Sequence, residues 1–412
     1  MTDPTPQPQE AAFPHWRRNR AGLPVAAFFQ SIGFTMASPF LPLILREMGV
    51  VQHVETWVGY LLGIYFLLSF SLTTLWGAVA DHYGRKLMVL RTSLGMGLVY
   101  LLLPFAPSLW WFLPIFLLLG TTNGFIPACQ ALVATTTPHG RLGSALSRMQ
   151  TGQLVGGMLG PVLAAAVAGL LPAYRDLYWL AAGLSLLAGL IALVLSREDF
   201  VRPPGRLELN PVRDLRVILR QPDVWVLYLV FITYTLSLNG SVAVVSVYTL
   251  RIVEQGGPVE PARLNFWLGM VAVALPVGAA LAVPFWGRLL DKIGPQRVLP
   301  VGLASGAAAV LLMALVRAPW QIAAARLLLG GVAVCIGPAG IALVKARTPT
   351  GMDSRVLAWL AASGMLGMGL GPLLAGLVGP WLGLRVYFAL NAALVAGGLL
   401  LWQQTRPRAH SG

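Results

Sequence analysis

The chain has 412 residues, of which 57% are hydrophobic and only 11% charged. A soluble globular protein of that length could not bury so much apolar surface, so that class is excluded. The net charge of +14 does not mark a nucleic-acid binder, because the 29 Lys and Arg are sorted into alternate loops rather than gathered into one basic patch.

In chain order, residues 1–21 hold Asp3 and Glu10 and no compact apolar core, so they read as a tail rather than a cleaved signal. Twelve apolar runs follow, each long enough, at about 20 residues, to cross a bilayer as a helix. They lie near 22–46, 56–79, 87–106, 109–134, 144–171, 177–196, 224–249, 264–288, 298–316, 320–344, 355–380 and 384–403. Trp57, Trp110, Trp111, Trp179, Trp320 and Trp381 fall at predicted ends, as an aromatic belt would. Arg46, Arg175, Arg251, Arg263, Arg317 and Arg385 lie on one side, and Arg326 lies inside a span. Every other Lys and Arg falls on the opposite side, with both termini, which the positive-inside rule makes cytoplasmic.

Between the second and third runs stands Gly77-Ala-Val-Ala-Asp81-His-Tyr-Gly84-Arg85-Lys86. Gly77 suits a close helix approach, Asp81 places a negative charge at a helix end, and Gly84 suits the turn. Half a chain later the pattern returns as Gly287, Asp291, Gly294 and Arg297, again between two apolar runs. Thr137-Pro138 and Thr348-Pro349 stand at the same offset as Gly156-x3-Gly160-Pro161 and Gly367-x3-Gly371-Pro372. A constant offset implies duplication of a six-helix unit. The expected fold is therefore an all-α membrane protein of twelve transmembrane helices in two pseudo-symmetric halves, 22–196 and 224–403. The linker 197–223 and the tail 404–412 complete it. Within the linker, Pro211 to Gln221 would place Arg213, Arg216 and Arg220 on one helical face, fit for an interfacial helix or a solvated linker.

The repeated loop resembles the signature between the second and third helices of the major facilitator superfamily, and the likeness covers nearly the whole chain. It implies that Asp81 bridges the halves on the cytoplasmic side, near Ser354 and Arg355, and that Asp291 does so near Ser144 and Arg148. Gly160-Pro161 in the fifth span is similar to the antiporter motif of drug exporters, although Ala164 and Ala165 replace the family's glycine pair. Gly33-x5-Pro39-x2-Pro42 in the first span is also similar to those exporters, and its prolines should kink the outer half of the helix.

The resemblance further implies that spans one, four, seven and ten line a central cavity. Helical spacing then nominates Gln30, Gly33 and Phe34, next Phe116, Gly120, Asn123, Pro127 and Gln130, next Tyr234, Ser237, Ser241 and Tyr248, and last Arg326. The nominated substrate-binding residues are Gln30, Phe34, Phe116, Asn123, Gln130, Tyr234, Ser241 and Arg326. Drug exporters of the family carry an arginine where this chain has Phe116, whereas the matching place in span ten does hold Arg326. No carboxylate is expected in the middle of a span.

Cys129 and Cys335 sit in apolar runs and read as small buried hydrophobes. No C-x2-C, H-E-x-x-H or G-x4-G-K-[ST] pattern occurs, so neither metal, cofactor, catalysis nor ATP is expected. The expected function is export of small amphiphilic, drug-like compounds by alternating access, coupled to proton influx. Import or facilitation of a metabolite on the same fold, or a transport-inactive receptor, are the alternatives. The expected partners are a small-molecule substrate, membrane lipid and the proton, with no nucleic acid. A monomer in the bacterial cytoplasmic (inner) membrane is expected.

Overall fold

A bilayer core offers no water to backbone amides, so a spanning chain must satisfy them within itself, and this chain does so with helices. The computed structural model describes residues 13–200, 222–255, 257–347 and 353–404. Pro211 to Gln221, and the side chains of Ser354 and Arg355, lie outside the described residues. Among these residues, 12 helices are long and apolar enough to cross a membrane. Spans one to six are Trp16–Glu47, Val54–Thr73, Arg85–Phe105, Leu109–Thr136, Leu142–Leu170 and Tyr174–Leu195. Spans seven to twelve are Trp225–Glu254, Pro261–Ile293, Pro295–Leu315, Pro319–Ala346, Trp359–Leu382 and Leu384–Gln404. The helix of span two continues to Tyr83. Trp110, Trp111, Trp179, Trp320 and Trp381 are exposed at helix ends, as the belt reading requires.

Local chemistry sets the interruptions. Pro261, Pro295 and Pro319 open their helices, where a missing N–H costs nothing. Gly84 and Gly294 turn the chain at φ 100° and 79°, conformations that a side chain would strain. Span one is helical to Met36, tightens into a 3-10 turn at Ser38–Phe40 and resumes at Leu41–Glu47, so its prolines do break the run. Span four stops at Thr122 and restarts at Phe125, because Gly124 adopts the left-handed conformation at φ 117°. Span ten is interrupted at Val334 and Cys335. These positions correspond to Asn123 and Gly124 under the repeat offset.

The chain forms two compact units, Met1–Phe40 with Ser71–Leu209, and Leu41–Phe70 with Asn210–Gly412. In the first, Gly152, Gly156 and Gly160 of span five press against Pro24, Phe28 and Ile32 of span one so closely that a Cβ would collide with backbone. Leu23, Ala26, Val89, Phe125, Cys129, Leu132 and Met149 form its core. In the second, Gly367 and Gly371 of span eleven press in the same way against Ile232 and Leu236 of span seven. Gly278 and Gly330 seat span eight on span ten. Pro161 and Pro372 lie inside continuous helices beside these seams. The contacts that place Leu41–Phe70 in the second unit are also glycine contacts. Gly59 meets Pro372 and Gly376, and Gly63 meets Leu373.

Candidate functional site

The first unit contains a cavity of about 230 Å³ lined by Gln30, Ser31, Phe34, Thr35, Met96, Asn123, Phe125, Ile126, Pro127, Gln153 and Gly157. Four nominated residues therefore meet in one space: Gln30, Phe34, Asn123 and Pro127. Gln30 is buried, its Nε2 donates at 3.4 Å to Ser185 Oγ and to Met96 Sδ, and its Oε1 has no partner. Gly33 turns away and backs onto Ala181 and Ser185 of span six.

Span four bends at this wall. Asn123 Oδ1 accepts the Gly124 N–H at 2.8 Å, and the next half-helix starts at the cavity with Phe125 and Ile126. Arg91 of span three donates to Thr121 O at 3.0 Å and Asn123 O at 3.3 Å, satisfying carbonyls that the break leaves without helical donors. Its guanidinium lies 3.6 Å from the Trp76 ring centroid, a cation–π contact. Sequence reading missed Arg91, since only the broken helix explains a cation there.

The break also divides the stripe expected along span four. Phe116 is buried and stacks on Phe112 at 5.6 Å, in an aromatic cluster with Tyr178, and Gln130 is half-buried outside the cavity. Across the left-handed Gly124, Pro127 still lines the cavity beside Asn123, whereas Gln130 does not.

In the second unit the nominated residues are mostly engaged with backbone. Tyr234 Oη donates to Ala333 O at 3.0 Å, at the interruption of span ten. Ser241 Oγ donates to Ser237 O at 2.7 Å, and Ser237 Oγ to Asn391 O at 3.3 Å. Tyr248 Oη donates to Val316 O at 3.3 Å. Arg326 is 4% exposed, and its Nε and Nη1 have no hydrogen-bond partner.

The loop after span two is built differently from its sequence reading. Gly77 and Gly287 do not sit at close helix contacts, since a Cβ on either would meet open space. Gly84 makes the close approach instead, against Glu198 and Phe200. Asp81 lies in the last turn of the helix that ends at Tyr83, not at an N-terminus. Its side chain is 71% exposed and pairs with Arg85 Nη2 at 3.0 Å, one turn on. The carboxylate at the N-terminus of span three belongs to Glu198, which accepts the N–H of Arg85 at 3.0 Å and of Lys86 at 2.7 Å. Lys86 Nζ donates in turn to Leu193 O at 3.0 Å and Ser196 O at 2.7 Å, closing the end of span six. Arg18 donates to Val194 O, and the buried Asn19 exchanges two 2.8 Å hydrogen bonds with the backbone of Arg197. In the second unit Asp291 is exposed, and Arg297 N–H donates to Gly294 O at 3.3 Å. Among the described residues no group of His, Cys, Asp and Glu could hold a metal ion.

Among the described residues, twelve helices long and apolar enough to cross a membrane mark an integral membrane protein. The Major Facilitator Superfamily matches residues 24–259 and 257–412, and the chain belongs to that family. It is therefore an integral membrane transport protein and not an enzyme. It is 32% identical over 398 residues to the "Multidrug resistance protein MdtG" of Salmonella paratyphi C, covering 96% of this chain and 97% of that one. The protein of the same name from Salmonella typhimurium is 32% identical over 401 residues, with the same coverage. Among solved structures, the nucleoside transporter NupG is similar at a TM-score of 0.77 and 10% identity, covering 94% of this chain and 98% of that one. The human organic anion transporter MFSD10 is similar at 0.69 and 19%, covering 94% and 99%.

Proposed function

We propose that this protein exports small amphiphilic, drug-like compounds from the cytoplasm by alternating access, driven by proton influx. The near-full-length likeness to proteins named for multidrug resistance carries the reading. The cavity supports it, because aromatic, thioether, amide and hydroxyl groups together suit compounds that are partly apolar and partly hydrogen-bonding. Gln30, Phe34 and Asn123 would contact the substrate there. The positive-inside pattern puts both termini in the cytoplasm of a bacterial inner-membrane protein, with Asp81 and Asp291 as cytoplasmic gating residues. The protein works as a monomer in this reading.

Arg326, in the second unit, would be a further substrate-binding residue. A buried guanidinium with unused donors attracts an acceptor or anionic group and repels a cation. The substrates are therefore neutral, zwitterionic or weakly anionic rather than permanent cations. The test is a compound screen in an efflux-deficient strain, followed by counterflow in everted and right-side-out vesicles. Resistance to such compounds, with uptake into everted vesicles dissipated by a protonophore, is the expected result. Accumulation in the opposite direction would replace export by import.

A further inference from the structure

The sequence offers no carboxylate in the middle of a span, yet the structure buries one at a span end. Glu55, in the first turn of span two, is 2% exposed, the acidic residue found in the interior among those described. Its Oε1 accepts from Arg251 Nη2 at 2.6 Å, and its Oε2 has no partner. Gly379 of span eleven lies against the Glu55 side chain. The pair is unequal, because the Arg251 side chain is 45% exposed and Glu55 is not.

We propose that Glu55 is a proton-binding site of the transport cycle, exchanging Arg251 for a proton when the start of span two leaves span seven. The inequality carries the argument. When the pair separates, Arg251 can turn to water, but a carboxylate in that pocket is left charged and unpaired, a costly state. A proton added to the free Oε2 makes the group neutral and removes the attraction, while Arg251 keeps its charge and its water. Protonation thus favours separation, and deprotonation favours closure. Arg46 and Glu254 form a second, more exposed pair one turn along span seven, with Nη2 to Oε2 at 3.1 Å. The two pairs tie the stretch from Arg46 to Glu55 to span seven, and Gly59 and Gly63 seat the following turns of span two on span eleven, so charges and glycines hold the same part of the chain.

The other titratable groups at this end are few. Glu47 and His53 precede Glu55, and span eleven has no titratable residue between Trp359 and Leu382. Arg385 of span twelve is engaged by Tyr248 and Val316, and Tyr387 by Gly371. Among these, Glu55 is the group whose charge the pocket itself cannot carry alone.

The proposal rests on the proton-coupled reading but is tested without a substrate. In a background of Cys129→Ala and Cys335→Ala, Val58→Cys reports on the buried seam and Val51→Cys on exposed surface. Labelling of Val58→Cys by N-ethylmaleimide in detergent is divided by that of Val51→Cys, which removes the reagent's own pH dependence. As the pH is lowered, this ratio should rise severalfold with Glu55 present. With Glu55→Gln it should be high and unchanging, with Arg251→Gln also high, and with Glu55→Asp again pH-dependent. Size-exclusion profiles check that each variant is folded, and the Glu55→Asp series stands alone if Glu55→Gln aggregates. A flat ratio in the parent, or an unaltered pH dependence in Glu55→Gln, would overturn the assignment. A protein that transports nothing in vesicles yet shows the expected labelling would instead overturn the export reading.

Discussion

The carboxylate of Glu198 accepts the backbone N–H of Lys86 at 2.7 Å, and Lys86 Nζ reaches back to Ser196 O at 2.7 Å. Two helix ends thus close each other: an anion on the N-terminus of span three and a cation on the C-terminus of span six, each where the helix dipole favours it. Glu198→Ala should cost about 1–2 kcal/mol by loss of a charged cap. Amide exchange at Arg85 and Lys86 should accelerate about tenfold, and the melting temperature should fall.

Asp81 should behave otherwise. An exposed pair one turn apart contributes only about 0.3–0.5 kcal/mol, so Asp81→Asn should leave the melting temperature nearly unchanged. If Asp81 gates the cytoplasmic side, the same variant should transport poorly. Wild-type transport by folded Asp81→Asn would refute that role.

Arg91 offers a stability prediction. Arg91→Ala strands Thr121 O and Asn123 O at the break in span four and removes the Trp76 contact. A loss of about 1–3 kcal/mol is expected. Arg91→Lys should recover part of it, since one ammonium can serve a carbonyl and still face the ring. Thermal unfolding of the purified variants measures both.

Gly59→Ala places a methyl group into the backbone of Pro372 and Gly376. Overpacking of this kind costs about 1–3 kcal/mol, here only while the seam is closed. The variant should therefore shift labelling of Val58→Cys upward at neutral pH, whereas Gly77→Ala, which meets open space, should not.

Arg326→Gln separates binding from folding. The side chain is buried and two of its nitrogens lack partners, so removing the charge should hold or raise the melting temperature. Export of zwitterionic compounds should fall severalfold. Efficient export of quaternary ammonium dyes, unaffected by the substitution, would count decisively against the assignment.

Spans and turns were legible in the amino-acid sequence because each rests on local chemistry. About 20 apolar residues cross a bilayer whatever they pack against. Gly84 and Gly294 were legible because a positive φ favours glycine. Gly156 and Gly160 were readable as packing residues because two glycines four apart bare one helix face, and they do seat span five on span one. What a side chain meets across the fold is different, because helical periodicity gives a face but not the neighbour opposite it. Glu198 lies 113 residues from Arg85 in the turn it closes, and Arg251 lies 196 residues from Glu55. Asn123 and Gln130 were placed on one stripe, but the helix breaks at Gly124 between them. Only the tertiary packing decided which oxygen would be left bare, and it left one on Glu55 and one on Gln30.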